Sequence, residues 1–334
     1  MRAAQWTTTA GGIENNITLN SSAPLPKHAS SLPNGHTLVK VAFTTVNPAD
    51  IKMPEMPIMS ALAFSKPAIP CMDFSGTVVA TTRTDLQPGD KVFGKTEPPL
   101  FGALGEYLVV GPSGCVKLPS GVNLKEAAGL GVCGLTAYQT LASFVKEGMN
   151  IFVNGGSGGV GTFTIQLAKL LGCGVTTTCS GGNVELCRSL GTDDVIDYRS
   201  VDVVSELQKR GVRYDLLIDN VNVGASPLFF SAHHYLKASA PYVTIAGDTS
   251  LTNIFNLLQM FLRPSWLGGG QRSAKFIMCK SDAGEYAKLG QWMREGKLKT
   301  VVEEVYPLER AGEAFRRSKT GRVRGKVVIE VCGE

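Results

Sequence analysis

The sequence predicts an α/β protein with two domains, a barrel-like β-domain followed by a doubly wound parallel sheet. Its 334 residues exceed what one hydrophobic core usually supports. Short β-patterned stretches separated by turn residues occupy roughly the first 120 residues. From Leu124 onward, helical and strand-like segments alternate, which is typical of a parallel sheet covered by helices on both faces.

The first domain is predicted by apolar stretches that turn residues separate. The turn Pro88-Gly89-Asp90 is one such boundary. Residues 1–122 are assigned to this domain, and the tail 275–334, which ends in a strand-like segment, is expected to complete it. The predicted strands are Leu38 to Val46, Phe74 to Ala80, Lys91 to Phe93, Glu106 to Val110 and, in the tail, Lys326 to Val331.

The second domain, residues 123–274, is predicted by the alternation of helical and extended periodicity. Its predicted helices are Ala127 to Lys146, Thr162 to Leu171, Val184 to Leu190 and Asp202 to Lys209. Its predicted strands are Met149 to Val153, Gly174 to Cys179, Val195 to Asp197, Tyr214 to Asp219 and Tyr242 to Ala246. This order of elements favours a parallel, doubly wound sheet.

A glycine-rich run, Asn154 to Gly161, lies between a predicted strand and a predicted helix. In this context a GxGxxG pattern predicts a dinucleotide site, whereas a glycine-rich turn alone is weak evidence. Gly156 is expected to form the tight turn, Gly158 to let backbone N–H groups approach a pyrophosphate, and Gly161 to let the helix pack on the strand. The predicted site comprises Gly156, Ser157, Gly158, Gly159, Val160 and Gly161.

The choice of dinucleotide is predicted from the residues that follow the strand Gly174 to Cys179. An NAD-preferring site usually carries Asp or Glu about 20 residues beyond the glycines, but this position is Ser180. Ser180 and the amides after it can donate to a 2′-phosphate, and Tyr198 and Arg199 are candidate further partners. Arg188 is another candidate, with a solvated surface residue as an equal alternative. The sequence therefore predicts NADPH in preference to NADH.

Charge and apolar patterning argue against several other classes of protein. The net charge of +5 comes from 33 basic and 28 acidic residues scattered along the chain, so nucleic-acid binding is unsupported. The N-terminus lacks the apolar core of a signal peptide, and no 18-residue apolar run predicts a transmembrane segment. Ile254 to Leu267, the nearest candidate, is expected to cover a pocket or a subunit contact, which leaves a homodimer open. Eight dispersed cysteines indicate reduced thiols and a cytoplasmic protein.

Several motifs together resemble those of the medium-chain dehydrogenase/reductase superfamily, in the same order along essentially the whole chain. They are Asn47-Pro48-Ala49-Asp50, Asp73-Phe74-Ser75-Gly76, Pro88-Gly89-Asp90-Lys91-Val92-Phe93, Thr136-Ala137-Tyr138, the Gly156 to Gly161 loop, Asp193-Asp194-Val195-Ile196-Asp197-Tyr198 and Gly325-Lys326-Val327-Val328-Ile329. Within the superfamily the chain most resembles the zinc-independent quinone oxidoreductase-like and enone (enoyl) reductase branch. The resemblance implies a GroES-like β-barrel domain and a Rossmann domain, with substrate in the cleft between them.

The resemblance also bears on metal binding. Zinc-dependent members use a Cys, a His-Glu pair and a further ligand, but Met72, followed by Asp73, stands at the position of that His. None of the four histidines has a partner at useful ligand spacing, and the cysteines form no cluster of four. We therefore expect no metal. We also expect reduction of a conjugated C=C bond, because the carbonyl can delocalise the charge that hydride addition leaves.

Roles of individual residues are implied by the resemblance. Asn47 would lie near the nicotinamide or the substrate carbonyl, and Lys52 would polarise that carbonyl or relay a proton. The alternative interpretations are a turn-forming Asn-Pro pair and a surface lysine. Thr136 would contact the phosphate or ribose beside the nicotinamide, or pack within its helix. The pair Gly181-Gly182 departs from relatives with a larger or basic residue there. Residues implied to line the nicotinamide are Ile245, Ala246, Gly247, Phe276 and Ile277.

These observations predict an NADPH-dependent reductase that transfers hydride to an α,β-unsaturated carbonyl, as an enone or acyl thioester, or to a quinone. Two alternatives stay open. One is a partner-dependent enoyl reductase that acts on the carrier-bound chain of a polyketide synthase. The other is an NADPH-binding regulatory protein with little catalysis. Turnover of free enones distinguishes the first interpretation from both.

Overall fold

A computed structural model describes residues 1–97, 101–221, 227–245 and 258–333. The chain divides into two compact units, of which the first comprises Met1–Leu135 and Lys280–Glu334 and the second comprises Thr136–Cys279. The first unit contains a largely antiparallel sheet and the second a parallel sheet. The predicted α/β fold class is therefore confirmed. None of the described helices combines the length and the apolar character needed to cross a bilayer.

The elements are numbered in chain order. The described strands are β1 (Ala3–Gln5), β2 (Thr18–Asn20), β3 (Thr37–Val46), β4 (Asp73–Thr81), β5 (Lys91–Lys95), β6 (Tyr107–Val110), β7 (Cys115–Lys117), β8 (Asn150–Asn154), β9 (Gly174–Cys179), β10 (Asp194–Asp197), β11 (Leu216–Asp219), β12 (Tyr242–Thr244), β13 (Ala274–Phe276), β14 (Val302–Pro307) and β15 (Lys326–Glu330). The α-helices include α1 (Pro48–Glu55), α2 (Pro57–Ala63), α3 (Leu124–Ala127), α4 (Val132–Ala142), α5 (Gly159–Leu170), α6 (Val184–Ser189), α7 (Val203–Arg210), α8 (Pro227–Phe230), α9 (Ala283–Arg294) and α10 (Ala311–Lys319).

The main sheet of the first unit has the order β14-β15-β3-β4-β5-β7, and β6 also pairs with β3. β15 comes from the end of the chain and lies antiparallel to β3, with Val327 opposite Val46. The C-terminal tail therefore supplies an inner strand of this sheet. A separate ribbon is formed by β1 and β2. The buried core of the unit includes Trp6, Phe74 and Phe315.

Helix α1 begins directly after β3 because the local sequence favours a helix start. Pro48 occupies the first helical position, where its missing N–H is not needed. The Asn47 backbone N–H donates a 2.8 Å hydrogen bond to Asp50 Oδ2, as in a capping box. For roughly the first 120 residues the sequence analysis predicted only strands, so α1 and α2 were not predicted. The capping pair also holds the Asn47 and Asp50 side chains next to each other.

The helix predicted at Ala127 to Lys146 is wrong in its bounds, because α3 ends at Ala127 and α4 covers only Val132–Ala142. The break follows from Asp73. A methyl group on Gly131 would lie 2.3 Å from Asp73 Oδ1, and that oxygen accepts a 2.7 Å hydrogen bond from the backbone N–H of Val132, the first residue of α4. A carboxylate at a helix N-terminus is favourable. Asp73 therefore determines where α4 begins.

The sheet of the second unit has the order β10-β9-β8-β11-β12-β13, and each adjacent pair is parallel. Counted within the unit, this is the order 3-2-1-4-5-6 of the Rossmann fold. β11 begins at Leu216, later than predicted, because Tyr214 forms an isolated bridge with Leu236. Ala246, the last residue of the predicted strand Tyr242 to Ala246, lies outside the described residues. The carboxyl ends of β8, β9 and β11 meet at one edge of the sheet, where such folds bind ligands.

Candidate functional site

The glycine loop, loop 155–161, consists of residues 155–158, which join β8 to α5 in the second unit, and the first three residues of α5. Gly155 has a φ of +84°, a conformation that suits glycine, so the tight turn falls on Gly155 and not on Gly156 as predicted. Gly156 is a close-contact position, because a methyl group there would lie 2.1 Å from Thr177 Oγ1 on β9. A methyl group on Gly161 would lie 2.1 Å from Gly155 O. Gly161 is therefore a second close-contact position, at which α5 packs on the glycine loop itself.

Gly158 differs from these glycines because packing does not require it. It is the N-cap of α5, a helix of 12 residues. A methyl group on Gly158 would meet Gly155 O at 3.7 Å, an ordinary contact, and nothing closer. The first N–H groups of an α-helix lack intrahelical partners and stabilise an anion. The open side of Gly158 and the start of α5 therefore fit the pyrophosphate of a dinucleotide.

Asn154 connects the ends of three neighbouring strands. Its Nδ2 donates to Asp219 Oδ1 at 2.9 Å, and its Oδ1 accepts from Thr178 Oγ1 at 2.6 Å. The next residue after Asp219 is Asn220, whose side-chain oxygen and nitrogen are both buried without a hydrogen-bond partner. A methyl group on Gly155 would lie 3.7 Å from Asn220 Cβ. A buried amide beside the glycine loop is thus available to a ligand.

The loop after β9 faces the glycine loop through Asn183. Asn183 Nδ2 donates to Ser157 Oγ at 3.1 Å and to Ser180 Oγ at 3.3 Å. Asn183 was not among the predicted site residues, although it links the two segments predicted to hold the cofactor. Arg188, a candidate phosphate partner, instead forms an exposed 3.0 Å ion pair with Glu185. The structure therefore favours the surface interpretation of Arg188.

A cavity of about 270 Å³ lies at the carboxyl ends of β8, β10 and β11. Tyr198, one of the predicted cofactor residues, lines it and is half exposed. Asn154, Asp219, Val221 and Leu228 also line it. A mainly apolar cavity with a few polar groups is typical of a small-molecule site. Its position beside the glycine loop suits the adenine end of a dinucleotide.

The other predicted cofactor residues lie at or near the ends of later elements. Ile245 and Ile277 follow β12 and β13, and their backbone N–H groups bond to carbonyl groups of the adjacent strands. Phe276 is 47% exposed. Thr136 is buried in α4 and is the first residue of the second unit. Ala246 and Gly247 lie outside the described residues.

Asn47, a predicted catalytic residue, lies in a buried polar cluster of the first unit. Its side chain donates through Nδ2 to Asp73 Oδ2 at 2.9 Å and to Asp50 Oδ2 at 3.2 Å. Its Oδ1 accepts from Lys326 Nζ at 2.6 Å. The residue is 1% exposed, so both ends of its amide are occupied inside the protein. Lys52, the other predicted catalytic residue, is half-buried on α1.

Lys326 was not predicted as a site residue. It is the first residue of β15, and its Nζ lies 3.3 Å from Cys133 Sγ and 3.5 Å from Asp73 Oδ2. Burial opposes its charge, but Cys133 and Asp73 outweigh burial and raise the pKa of Lys326 above its ordinary value. The ammonium is therefore protonated in the interior. The available signal was a lysine at the start of the apolar segment Val327 to Ile329.

Asp73 and Asp50 give the cluster two different carboxyl groups. Asp73 Oδ2 accepts from Thr45 Oγ1 at 2.6 Å as well as from Asn47. Asp50 Oδ1, in contrast, is buried without a hydrogen-bond partner. Burial and the neighbouring Asp73 raise the pKa of Asp50 to about 7. Asp50 is therefore a group in this cluster that titrates near neutral pH.

The chain is similar to known oxidoreductases over nearly its whole length. Residues 33–120 match the family model of the alcohol dehydrogenase GroES-like domain, and residues 190–329 match that of zinc-binding dehydrogenase. The trans-enoyl reductase pgmF of Aspergillus terreus is 44% identical, over 99% of this chain and 96% of that protein. The chain belongs to the medium-chain dehydrogenase/reductase superfamily. The chloroplastic quinone-oxidoreductase QR1 of Triphysaria versicolor is 31% identical, over 99% of this chain and 98% of that protein.

Solved structures of the superfamily have the same fold. The quinone oxidoreductase of Coxiella burnetii superposes with a TM-score of 0.83 at 28% identity, over 99% of each chain. The CurK enoyl reductase superposes with a TM-score of 0.79 at 20% identity, over 98% of each chain. The chain lies in the quinone oxidoreductase and enoyl reductase branch of the superfamily and is an oxidoreductase, so the predicted resemblance is confirmed.

Met72 and the residue after it, Asp73, are poorly suited to hold a zinc ion. Met72, at the position of the usual histidine, offers a thioether. The Asp73 carboxylate already accepts from Thr45, Asn47 and Val132. Zinc prefers thiolate, imidazole and carboxylate ligands, so these residues do not fit it. Within residues 1–97, 101–221, 227–245 and 258–333, no group of three or more His, Cys, Asp and Glu side chains is arranged to hold a metal ion.

Proposed function

We propose that this oxidoreductase uses NADPH to reduce an α,β-unsaturated carbonyl compound, as an enone or enoyl thioester, or a quinone, and that it does so without zinc. The observation that carries the proposal is the arrangement around loop 155–161. Gly158 leaves the start of α5 open, Asn220 presents an unpartnered buried amide, and Tyr198 lines the adjacent cavity. Ser180 ends the neighbouring strand without the carboxylate of an NAD-preferring site.

The residues of the chain supply binding and orientation in this proposal. When bound, NADPH would supply a hydride to the β-carbon of an enone or enoyl thioester, whose α-carbon then takes a proton, or to a quinone, which takes a proton and becomes the hydroquinone. Loop 155–161, which includes the first turn of α5, would hold the pyrophosphate, and Ser180 and Asn183 would hold the adenosine ribose and its phosphate. Asn47 and Lys52 are the proposed groups near the substrate carbonyl. Asn47 would reach it by releasing an N–H from Asp50 or Asp73, whereas Lys52 extends from the same helix.

The test is a substrate panel with NADPH deuterated on the transferred face. An unsaturated acyl thioester, an enone and a quinone are each incubated with the purified protein. We expect deuterium on the β-carbon of the reduced thioester or enone, with the carbonyl retained. Deuterium on the carbonyl carbon, or no NADPH oxidation with any of the three, contradicts the proposal. Turnover of any of them argues against a regulatory protein that only binds NADPH.

Zinc independence needs its own measurement. Prolonged dialysis against a chelator should leave turnover and the free energy of unfolding unchanged, because Met72, at the position of the usual histidine, does not suit zinc. A superfamily enzyme with a known catalytic zinc serves as the control and should lose activity. Loss of activity in this protein, restored by added zinc, would show that zinc takes part.

A second candidate function is reduction of an acyl chain tethered to the carrier domain of a polyketide synthase. It is favoured by one observation, that the relative at 44% identity is named a trans-enoyl reductase, whereas the quinone oxidoreductase of Triphysaria versicolor is 31% identical. The two candidates differ in substrate form. The same enoyl chain is therefore offered as a free pantetheine thioester and on a carrier protein. Turnover of the tethered form alone selects the second candidate.

A further inference from the structure

Asp197 places a carboxylate against the loop predicted to hold the adenosine ribose. It is the last residue of β10 and lies opposite Cys179, the last residue of β9. Ser180 follows Cys179 at the position that distinguishes NAD from NADP sites in this fold. A methyl group on Gly181 would lie only 2.7 Å from Asp197 Oδ2. The sequence showed no carboxylate at the end of β9, but the fold brings one there from the neighbouring strand.

The Asp197 carboxylate is charged at neutral pH. Its Oδ1 accepts from the Arg199 backbone N–H at 2.9 Å, and its Oδ2 accepts from Ser200 Oγ at 2.9 Å. These bonds, together with the backbone of Gly181, hold the pKa of Asp197 below its ordinary value. A methyl group at residue 181, 2.7 Å from Asp197 Oδ2, would therefore require the Asp197 side chain to shift.

We propose that Asp197 is a specificity-determining residue that limits the preference of this site for NADPH over NADH. The inference rests on the proposed function only in assigning a nicotinamide dinucleotide to loop 155–161. Because Asp197 adjoins the 180–183 loop, a 2′-phosphate bound there experiences like-charge repulsion that the 2′-hydroxyl of NADH does not. The Ser180 hydroxyl and Asn183 favour the phosphate, and Asp197 opposes it.

The test uses 2′,5′-ADP and 5′-AMP as probes, because these nucleotides carry the distinguishing phosphate and omit the nicotinamide. Their dissociation constants are measured by calorimetric titration for the native protein, Asp197→Asn and Asp197→Ser. We expect 2′,5′-ADP to bind roughly three- to tenfold more tightly to both variants. Binding of 5′-AMP should stay within about twofold, because it lacks the repelled phosphate.

The matched control is Asp194→Asn, which removes the same charge from the other end of β10. Asp194 lies three residues, or about 10 Å along the strand, from Asp197, and pairs with Arg210. This control should leave the ratio of the two dissociation constants unchanged. An unchanged ratio in both Asp197 variants, or equal weakening of both nucleotides, overturns the proposal and leaves Asp197 a purely structural residue of the turn. Failure of enone and quinone reduction bears only on the proposed function.

Discussion

Lys326 donates a 2.6 Å hydrogen bond from its ammonium to the side-chain carbonyl of Asn47, although 279 positions separate the two residues in the chain. The Asn47 amide in turn donates to Asp73, which lies 3.5 Å from the same ammonium. The three side chains therefore close a ring in the interior of the first unit. Each member has another as its partner, so removing one leaves a buried charge or polar group uncompensated.

Lys326→Met should lower the free energy of unfolding by about 3–5 kcal/mol, because it leaves Asp73 without its buried cation. Chemical unfolding at pH 7 measures the change. The control is Lys117→Met, since Lys117 pairs with Asp90 at 2.6 Å but its side chain is 58% exposed. We expect the control to cost less than about 1 kcal/mol. Equal losses in the two variants would show that the ring contributes no special stability.

Asp50 should make the folded protein more stable at mildly acidic than at alkaline pH. Its pKa is about 7 in the folded protein, well above the value of about 4 in an unfolded chain. The folded state therefore binds more protons across that window. The stabilising contribution is fully present below pH 4 and is lost as the pH rises through 7, with a total of about 2–4 kcal/mol.

The measurement compares the native protein with Asp50→Asn at pH 5 and at pH 8. Other carboxyl groups are common to both proteins and cancel in the difference between them. The native protein should lose stability relative to the variant as the pH rises. Parallel pH profiles of the two proteins would contradict the assignment of a titrating group near pH 7 to Asp50.

The pattern of residues along the chain was sufficient to predict the elements that depend on contacts between residues close together in the sequence. The strand β3 and the strand–glycine–helix unit around Gly161 follow from periodicity and from the need for a close approach. The start of the helix predicted at Ala127 to Lys146 was wrong because α4 begins at Val132, whose backbone N–H bonds to Asp73, 59 positions earlier. The residues around a helix start give no sign of a capping residue that lies far away in the sequence.

The sequence predicted only those parts of the candidate site that are contiguous in the chain. The glycine loop is a contiguous segment, so its sequence shows it directly. The ring around Asn47 depends on β15 pairing with β3, and only that pairing brings Lys326 to Asn47. The carboxylate of Asp197 likewise reaches Gly181 because β10 lies beside β9. Residues that meet across strands cannot be paired from spacing along the chain.

Gly158 and Gly161 should respond differently to replacement by alanine. Gly161→Ala places a methyl group 2.1 Å from a backbone oxygen, so we expect a loss of stability of about 1–3 kcal/mol. Gly158→Ala meets only an ordinary contact and should unfold nearly as the native protein does. It should nevertheless weaken NADPH binding by tenfold or more, because the methyl group occupies the approach of the pyrophosphate. Unchanged NADPH affinity in Gly158→Ala would argue that the dinucleotide binds elsewhere.

Asn220 offers a test of the cofactor site that does not depend on turnover. Its amide is buried without a partner, and replacing an unsatisfied polar group costs little stability. Asn220→Ala should therefore be as stable as the native protein or more so. If the amide bonds to the cofactor, the variant should bind NADPH roughly tenfold more weakly. Thermal unfolding and fluorescence titration give the two values, and equal NADPH affinity would remove Asn220 from the site.

If the Asn47 amide orients the substrate carbonyl, Asn47→Ala should raise the activation free energy by about 2–4 kcal/mol and so lower turnover. The affinity for NADPH should change little. The substitution also opens the buried ring, so its effect needs a reference. Lys326→Met opens the same ring but keeps the Asn47 amide. A larger loss of kcat in Asn47→Ala than in Lys326→Met, measured at a temperature where both are folded, supports direct contact with the substrate. Equal losses show that Asn47 acts by holding the structure. Lys52→Ala should give a smaller loss than either, because water can replace a proton relay.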